Sequence, residues 1–266
     1  MRKSFLVTAL IAAAIVSPSS RAADGRWFFS TGLDYSNGDY GEARDTTILT
    51  VPLTAGYVAE RWSAELIVPI VDIKGPGTIV PGGLDNGGGL GGLLGSTPAT
   101  ASTLGKGVDT TGLGDASLTL SGIPYISEGG TQFLVISRLR APTGDADQGL
   151  GTGEWAASLA GGIRQPLGPR ADIYGAVGYE RTLGGDGNGV IAQFGAESYV
   201  AERVQLGAVL NYAQATSALQ RDGAQAGGFI AYDLSATTRV QAYGAAGLSE
   251  TSPDLTAGFR VVFSPQ

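Results

Sequence analysis

The chain has 266 residues and a formal net charge of −7, with 43 glycines and neither cysteine nor histidine. So acidic a chain is a poor partner for nucleic acid. The missing thiols and imidazoles exclude a disulfide framework, a cysteine-linked lipid anchor, thiol catalysis and the usual histidine base of a serine hydrolase.

The N-terminus carries Arg2 and Lys3, an apolar run from Phe5 to Val16 and the small-residue site Ser20-Arg21-Ala22. This is the pattern of a secretory signal peptide over residues 1–22, and residues 23–266 are then one exported domain. Loss of Arg2, Lys3 and Arg21 leaves 14 basic against 24 acidic residues, a formal charge of −10. No later apolar run reaches the roughly 18 residues of a membrane helix, so a membrane-embedded form must cross as strands.

Twelve segments then alternate between apolar and polar or small residues: 26–36, 47–57, 62–74, 111–125, 131–142, 153–165, 171–183, 190–200, 204–214, 224–234, 239–248 and 254–263. The clearest hairpin is Val190–Tyr212, where Val190, Ala192, Phe194, Ala196 and Val200 share one face and, after Ala201-Glu202-Arg203, Val204, Leu206, Ala208, Leu210 and Tyr212 share another. A soluble sheet would bury such a face under helices, and almost no stretch has helical periodicity. The face therefore meets lipid, and the expected fold is an all-β, transmembrane, antiparallel up-and-down barrel of about 12 strands. Connections at 58–61, 126–130, 166–170, 201–203 and 235–238 are short, while those at 37–46, 75–110, 143–152, 184–189, 215–223 and 249–253 are generally longer. Short periplasmic turns and longer extracellular loops are the asymmetry of outer-membrane barrels. Aromatics on the lipid-facing parity agree, with Trp27, Tyr57, Trp62, Phe133, Tyr232 and Phe263 at the periplasmic level and Tyr35, Trp155, Tyr179 and Tyr212 at the outer one. Pro52 and Pro69 sit inside segments two and three on the opposite parity. They predict either a bulge or kink in mid-strand, or strands that stop at those residues.

The parity opposite to the lipid face holds Glu65, Arg138, Arg140, Glu154, Arg164, Asp172, Glu180, Glu197, Asp233, Arg239 and Arg260. An arginine at the bilayer centre costs about 2–4 kcal/mol, so these residues line the interior. Glycines and alanines on the same face, Gly195, Gly207 and Gly258 among them, are expected to leave the lumen room for water or a ligand. Two readings of the charges stay open, a polar pore and a network of ion pairs that satisfy one another. Tyr174, Tyr199, Phe229 and Tyr243 share this parity and either stack on solute rings or pack the lumen. The Gly-rich loop 75–110 is read either as a constriction of the mouth or as an exposed extracellular loop. Asp145-Ala-Asp147-Gln-Gly149 and Gly184-Gly-Asp186-Gly-Asn188-Gly lack a full calcium ligand set and read as turn chemistry. No metal or other cofactor is expected.

Gly38-Asp39-Tyr40, Thr111-Gly112-Leu113-Gly114-Asp115, Pro142-Thr143-Gly144-Asp145 and Gly149-Leu150-Gly151-Thr152-Gly153 follow one another at strand edges. On these pieces the chain resembles the outer-membrane transporter family of the meta-cleavage pathway of phenol degradation. The resemblance implies a barrel that passes small, often aromatic or hydrophobic molecules inward, and it carries over no catalytic residues. Outer-membrane lipid, a small-molecule solute and the barrel assembly machinery are the implied partners. The chain departs from the usual aromatic terminus of such barrels, since Ser264-Pro265-Gln266 follow Phe263. A structural or adhesive barrel presenting its loops is the alternative to a channel, and a barrel enzyme comes last.

Overall fold

Period-two alternation over nine to fourteen residues makes each segment a strand with two unlike faces, and closing such strands on one another removes every unpaired edge. The structure, a computed structural model, describes residues 25–40, 43–75, 79–80, 100–101, 108–184, 187–214 and 222–265. Twelve antiparallel strands form the wall: β1 (Arg26–Gly38), β2 (Thr46–Val58), β3 (Trp62–Gly75), β4 (Val108–Leu113 and Ala116–Ile126), β5 (Gln132–Ala141), β6 (Trp155–Pro166), β7 (Ala171–Leu183), β8 (Asn188–Ala201), β9 (Val204–Ala213), β10 (Gly223–Asp233), β11 (Thr238–Gly247) and β12 (Leu255–Phe263). Each strand pairs with the next, and β1 pairs with β12 from Phe29↔Phe263 to Asn37↔Leu255, so the barrel is closed. A two-residue ribbon, Ile79–Val80 with Thr100–Ala101, stands apart in the long connection between β3 and β4. The leader at 1–22, most of the 75–110 loop and part of the 184–189 loop lie outside the described residues.

The observed ends match the expected segments within a few residues except at strand four, expected as 111–125. It begins at Val108 and is broken at Gly114-Asp115. The break belongs with the prolines. Pro52 and Pro69 lie within β2 and β3 and pair directly with each other. Both strands run through their prolines, so neither ends there. On the far side of β2 the ladder to β1 lapses between Thr31↔Leu53 and Asp34↔Thr50 without an extra residue. On the far side of β3 the ladder runs from Ile67↔Ser117 to Ile70↔Leu113, and β4 has one residue more than β3. That is a bulge on the strand facing the missing donor, and the Gly114 N–H donates to Pro69 O at 2.9 Å, which keeps the Pro69 carbonyl paired.

The tight turns sit where the sequence places them. Gly130 and Gly168, at φ 81 and 91, allow the left-handed turns that reverse the chain after β4 and β6. The lipid-facing parity is exposed along the wall, from Leu159 and Val177 to Leu210 and Phe259. At its periplasmic rim Trp27, Tyr57 and Trp62 form a contiguous aromatic cluster, with ring centroids 5.3 and 5.4 Å apart. The opposite parity is buried, so the core of this molecule is its lumen.

Candidate functional site

The charged lumen residues gather into groups according to the barrel's register. Near the periplasmic end Arg164 of β6 reaches across β7, its Nη2 donating to Asp172 at 2.7 Å and to Glu197 of β8 at 2.9 Å. A few strands on, Arg239 of β11 pairs with Asp233 of β10 at 3.5 Å, donates to the Tyr199 hydroxyl at 3.1 Å, and also donates to Gln205. Tyr199 in turn donates to Asp233 at 3.4 Å, and the Arg239 guanidinium lies 5.9 Å from the Tyr199 ring centroid. Towards the outer half Arg140 of β5 pairs with Glu180 of β7 at 3.6 Å, and Arg138 donates to Thr119 at 3.1 Å. Thr119 faces Glu65 on β3, which places Glu65, Thr119 and Arg138 in one row across three strands. Arg260 is buried on β12 between Gln241 and Gly32 of its two neighbours. Glu154 departs from the expected interior set. It precedes β6 in the outer loop, is exposed, and offers its backbone carbonyl to the Thr152 hydroxyl at 3.0 Å. Alternation extended one residue beyond the strand misplaces it. Asp34, buried on the lumen face of β1, is an acid that the same parity rule should have included.

Between the polar groups lies an apolar band that charge-centred reading passes over. Leu134 and Ile136 of β5, Ala160 of β6, Tyr174 and Ala176 of β7 and Ile191 of β8 pack as one buried cluster inside the barrel. On β5 to β7 it separates Arg138, Arg140 and Glu180 above from Arg164 and Asp172 below. A second buried cluster joins Phe229, Ala231 and Tyr243 on β10 and β11. The sequence signal was there, since Leu134, Ile136 and Ile191 share the parity of the charges.

The small residues expected to leave the lumen open accommodate rings instead. Tyr174 pairs with Gly195, Phe229 with Gly207 and Tyr243 with Gly258, each across neighbouring strands. A Cβ added at any of the three glycines would meet the opposing ring first. Aromatic and glycine thus share one place in the wall at these three positions. Gly207→Val is accordingly expected to drive Phe229 off its seat and to destabilise the barrel by about 1–3 kcal/mol, measurable as a lower urea midpoint in lipid. Gly161, which faces open space on the lipid side, is the control position and should accept valine at little cost.

At the outer mouth the loop from Ala141 to Trp155 folds back onto the wall, held by one carboxylate. Asp115, in the break of β4, accepts the Gly144 N–H at 3.0 Å on Oδ1 and the Thr152 N–H at 2.8 Å and hydroxyl at 2.9 Å on Oδ2. Asp145 caps a short 3-10 turn, Ala146–Gln148, by accepting the amides of Asp147 and Gln148, which is ordinary turn chemistry. The fold of this loop delivers Leu150 into a buried apolar cluster with Tyr40, Ile48, Val71 and Ile73. Tyr40 has φ 52, unusual for a residue with a side chain. Its hydroxyl bonds Ser36, and burial pushes the phenol up to about 12. On the other side of Tyr40, Ser252 and Pro253 of the β11–β12 loop are fully buried, the Ser252 hydroxyl donating to Ala224 O at 2.7 Å. Among the described residues no cluster of carboxylates could hold a metal ion.

The whole barrel resembles solved outer-membrane proteins. An outer membrane channel from Pseudomonas putida F1 aligns with a TM-score of 0.66 at 15% identity, over 94% of this chain and all of that one. The NanC porin aligns with a TM-score of 0.54 at 6% identity, over 88% of this chain and 98% of that one. At such identities the likeness concerns the fold. A search of curated protein sequences returns no match. The model of the family described as "Putative MetA-pathway of phenol degradation" matches residues 52–264.

Proposed function

The chain belongs to this phenol meta-pathway family, and from that premise we propose that it is an outer-membrane channel for the uptake of small, largely apolar solutes, aromatic rings among them. The lumen carries the reading. Its band of Leu134, Ile136, Ala160, Ala176 and Ile191 gives an apolar solute an apolar wall, flanked by the Arg140–Glu180 pair on one side and the Arg164–Glu197 pair on the other. The residues proposed to meet the solute are Tyr174, Phe229 and Tyr243 by ring contact, and Arg138, Arg140, Glu180 and Arg260 by polar contact. Arg164, Asp172, Glu197, Asp233, Arg239 and Tyr199 serve mainly one another. The channel function of the Pseudomonas putida protein is carried to this chain only as part of the proposal. A non-catalytic role agrees with it, because the chain lacks histidine and cysteine altogether. Contact with outer-membrane lipid and insertion by the assembly machinery, after export by the leader at 1–22, belong to the same reading.

Uptake of radiolabelled phenol by cells depleted of other porins tests it. Expression of the chain should raise the initial rate, and an unchanged rate at verified outer-membrane levels would sink the channel reading.

A further inference from the structure

Tyr40 after β1, Gly112–Asp115 in β4 and the Gly144–Gly151 loop, three separate stretches of the chain, meet at the outer mouth. Gly112 on β4 is small enough for Leu150 to lie against it, a Cβ there falling 2.6 Å from Leu150 Cδ1, and a Cβ at Gly114 would fall 3.0 Å from both Pro69 and Val71. Gly144 and Gly151 approach so closely that neither can carry a side chain, a Cβ at either falling 2.9 Å from the Cα of the other. The Asp115 carboxylate ties this crossing down with its three accepted hydrogen bonds. Tyr40 completes the cluster from the β1–β2 loop, and its left-handed backbone, at φ 52, is strained for a residue with a side chain. A bulky side chain held in strain, packed against a leucine carried by a tethered loop, is more than a loop needs to cover a strand end. Leu150 packs on the inward-facing side chains Ile48 of β2 and Val71 and Ile73 of β3, at their outer ends.

Resting on the channel reading, we propose that the outer mouth is a selectivity collar. Leu150 and Tyr40 set the largest solute that enters, and Asp115 is the positioning residue that keeps Leu150 in place. Shortening Leu150 widens the mouth without touching the lumen charges, so it favours large solutes over small ones. Enlarging it does the reverse. Asp115→Asn keeps an acceptor for Gly144 and turns a donor towards Thr152, so its effect should fall between wild type and Asp115→Ala.

The test is swelling of proteoliposomes that hold the full chain, read as the ratio of disaccharide to pentose entry. Leu150→Ala and Tyr40→Gly should raise the ratio several-fold, Leu150→Trp should lower it, and Asp115→Ala should follow Leu150→Ala. A simple loss of stability would reduce both rates together and leave the ratio unchanged. An unchanged ratio in all four variants, with pentose entry measurable in each, would overturn the collar and leave the channel standing. Absence of sugar entry for every chain, wild type included, would overturn the collar, and only unchanged phenol uptake would overturn the channel as well.

Discussion

Replacing Arg164 by alanine is expected to cost the folded barrel about 3–5 kcal/mol, the range for breaking a buried ion pair by removing one partner. Arg164 Nη2 donates to both Asp172 and Glu197, and the Glu197 side chain is 2% exposed. Without the guanidinium, two carboxylates on neighbouring paired positions of β7 and β8 face each other across a low-dielectric wall. The triple variant Arg164→Ala, Asp172→Asn, Glu197→Gln removes the orphaned charges and should recover most of the loss. Urea unfolding in lipid vesicles reads both. A single variant within about 1 kcal/mol of wild type would mean that water screens these carboxylates and that the inner end of the lumen is wide.

Val177→Arg carries the second large effect. Val177 stands at the middle of β7 on the outward face and is 51% exposed. Facing hydrocarbon there, arginine should destabilise the barrel by about 2–4 kcal/mol, while Leu183→Arg at the outer end of the same strand should cost about 0–1 kcal/mol. The depth dependence distinguishes lipid from any protein partner, which would penalise both sites according to its own contacts. Equal and small costs at the two positions would contradict a lipid-facing wall.

The barrel was legible because period two is a local property. Each of Phe194, Leu206, Leu210 and Ile230 declares its face relative to its immediate neighbours, and twelve such readings sum to a closed sheet. Strand four blurred because its outer part, Val108–Leu113, is short, and Gly114-Asp115 follows it. The reason lies in Pro69 on β3, whose missing N–H decides where β4 bulges. Such pairing between distant segments leaves no trace in either segment alone. Glu154 was misplaced because parity assigns a face but does not say where a strand stops. Leu150 escaped because an apolar residue among glycines in a loop has no period, and only the fold-back onto Ile48, Val71 and Ile73 gives it a task. The same holds for the glycines opposite Tyr174, Phe229 and Tyr243. In the sequence they look like empty wall, and only the strand register pairs each with a ring.

Adjacent side chains on one strand should face water and lipid in turn, and a natural chain without cysteine makes this testable at single positions. Val209 faces the lumen of β9 and Leu210 is exposed on its outer face. In planar bilayers, a charged, membrane-impermeant thiol reagent should change the single-channel conductance of Val209→Cys within one addition and leave Leu210→Cys as it was. Equal responses at the two positions, or no conductance from either, would contradict a hollow barrel with its apolar side chains outward.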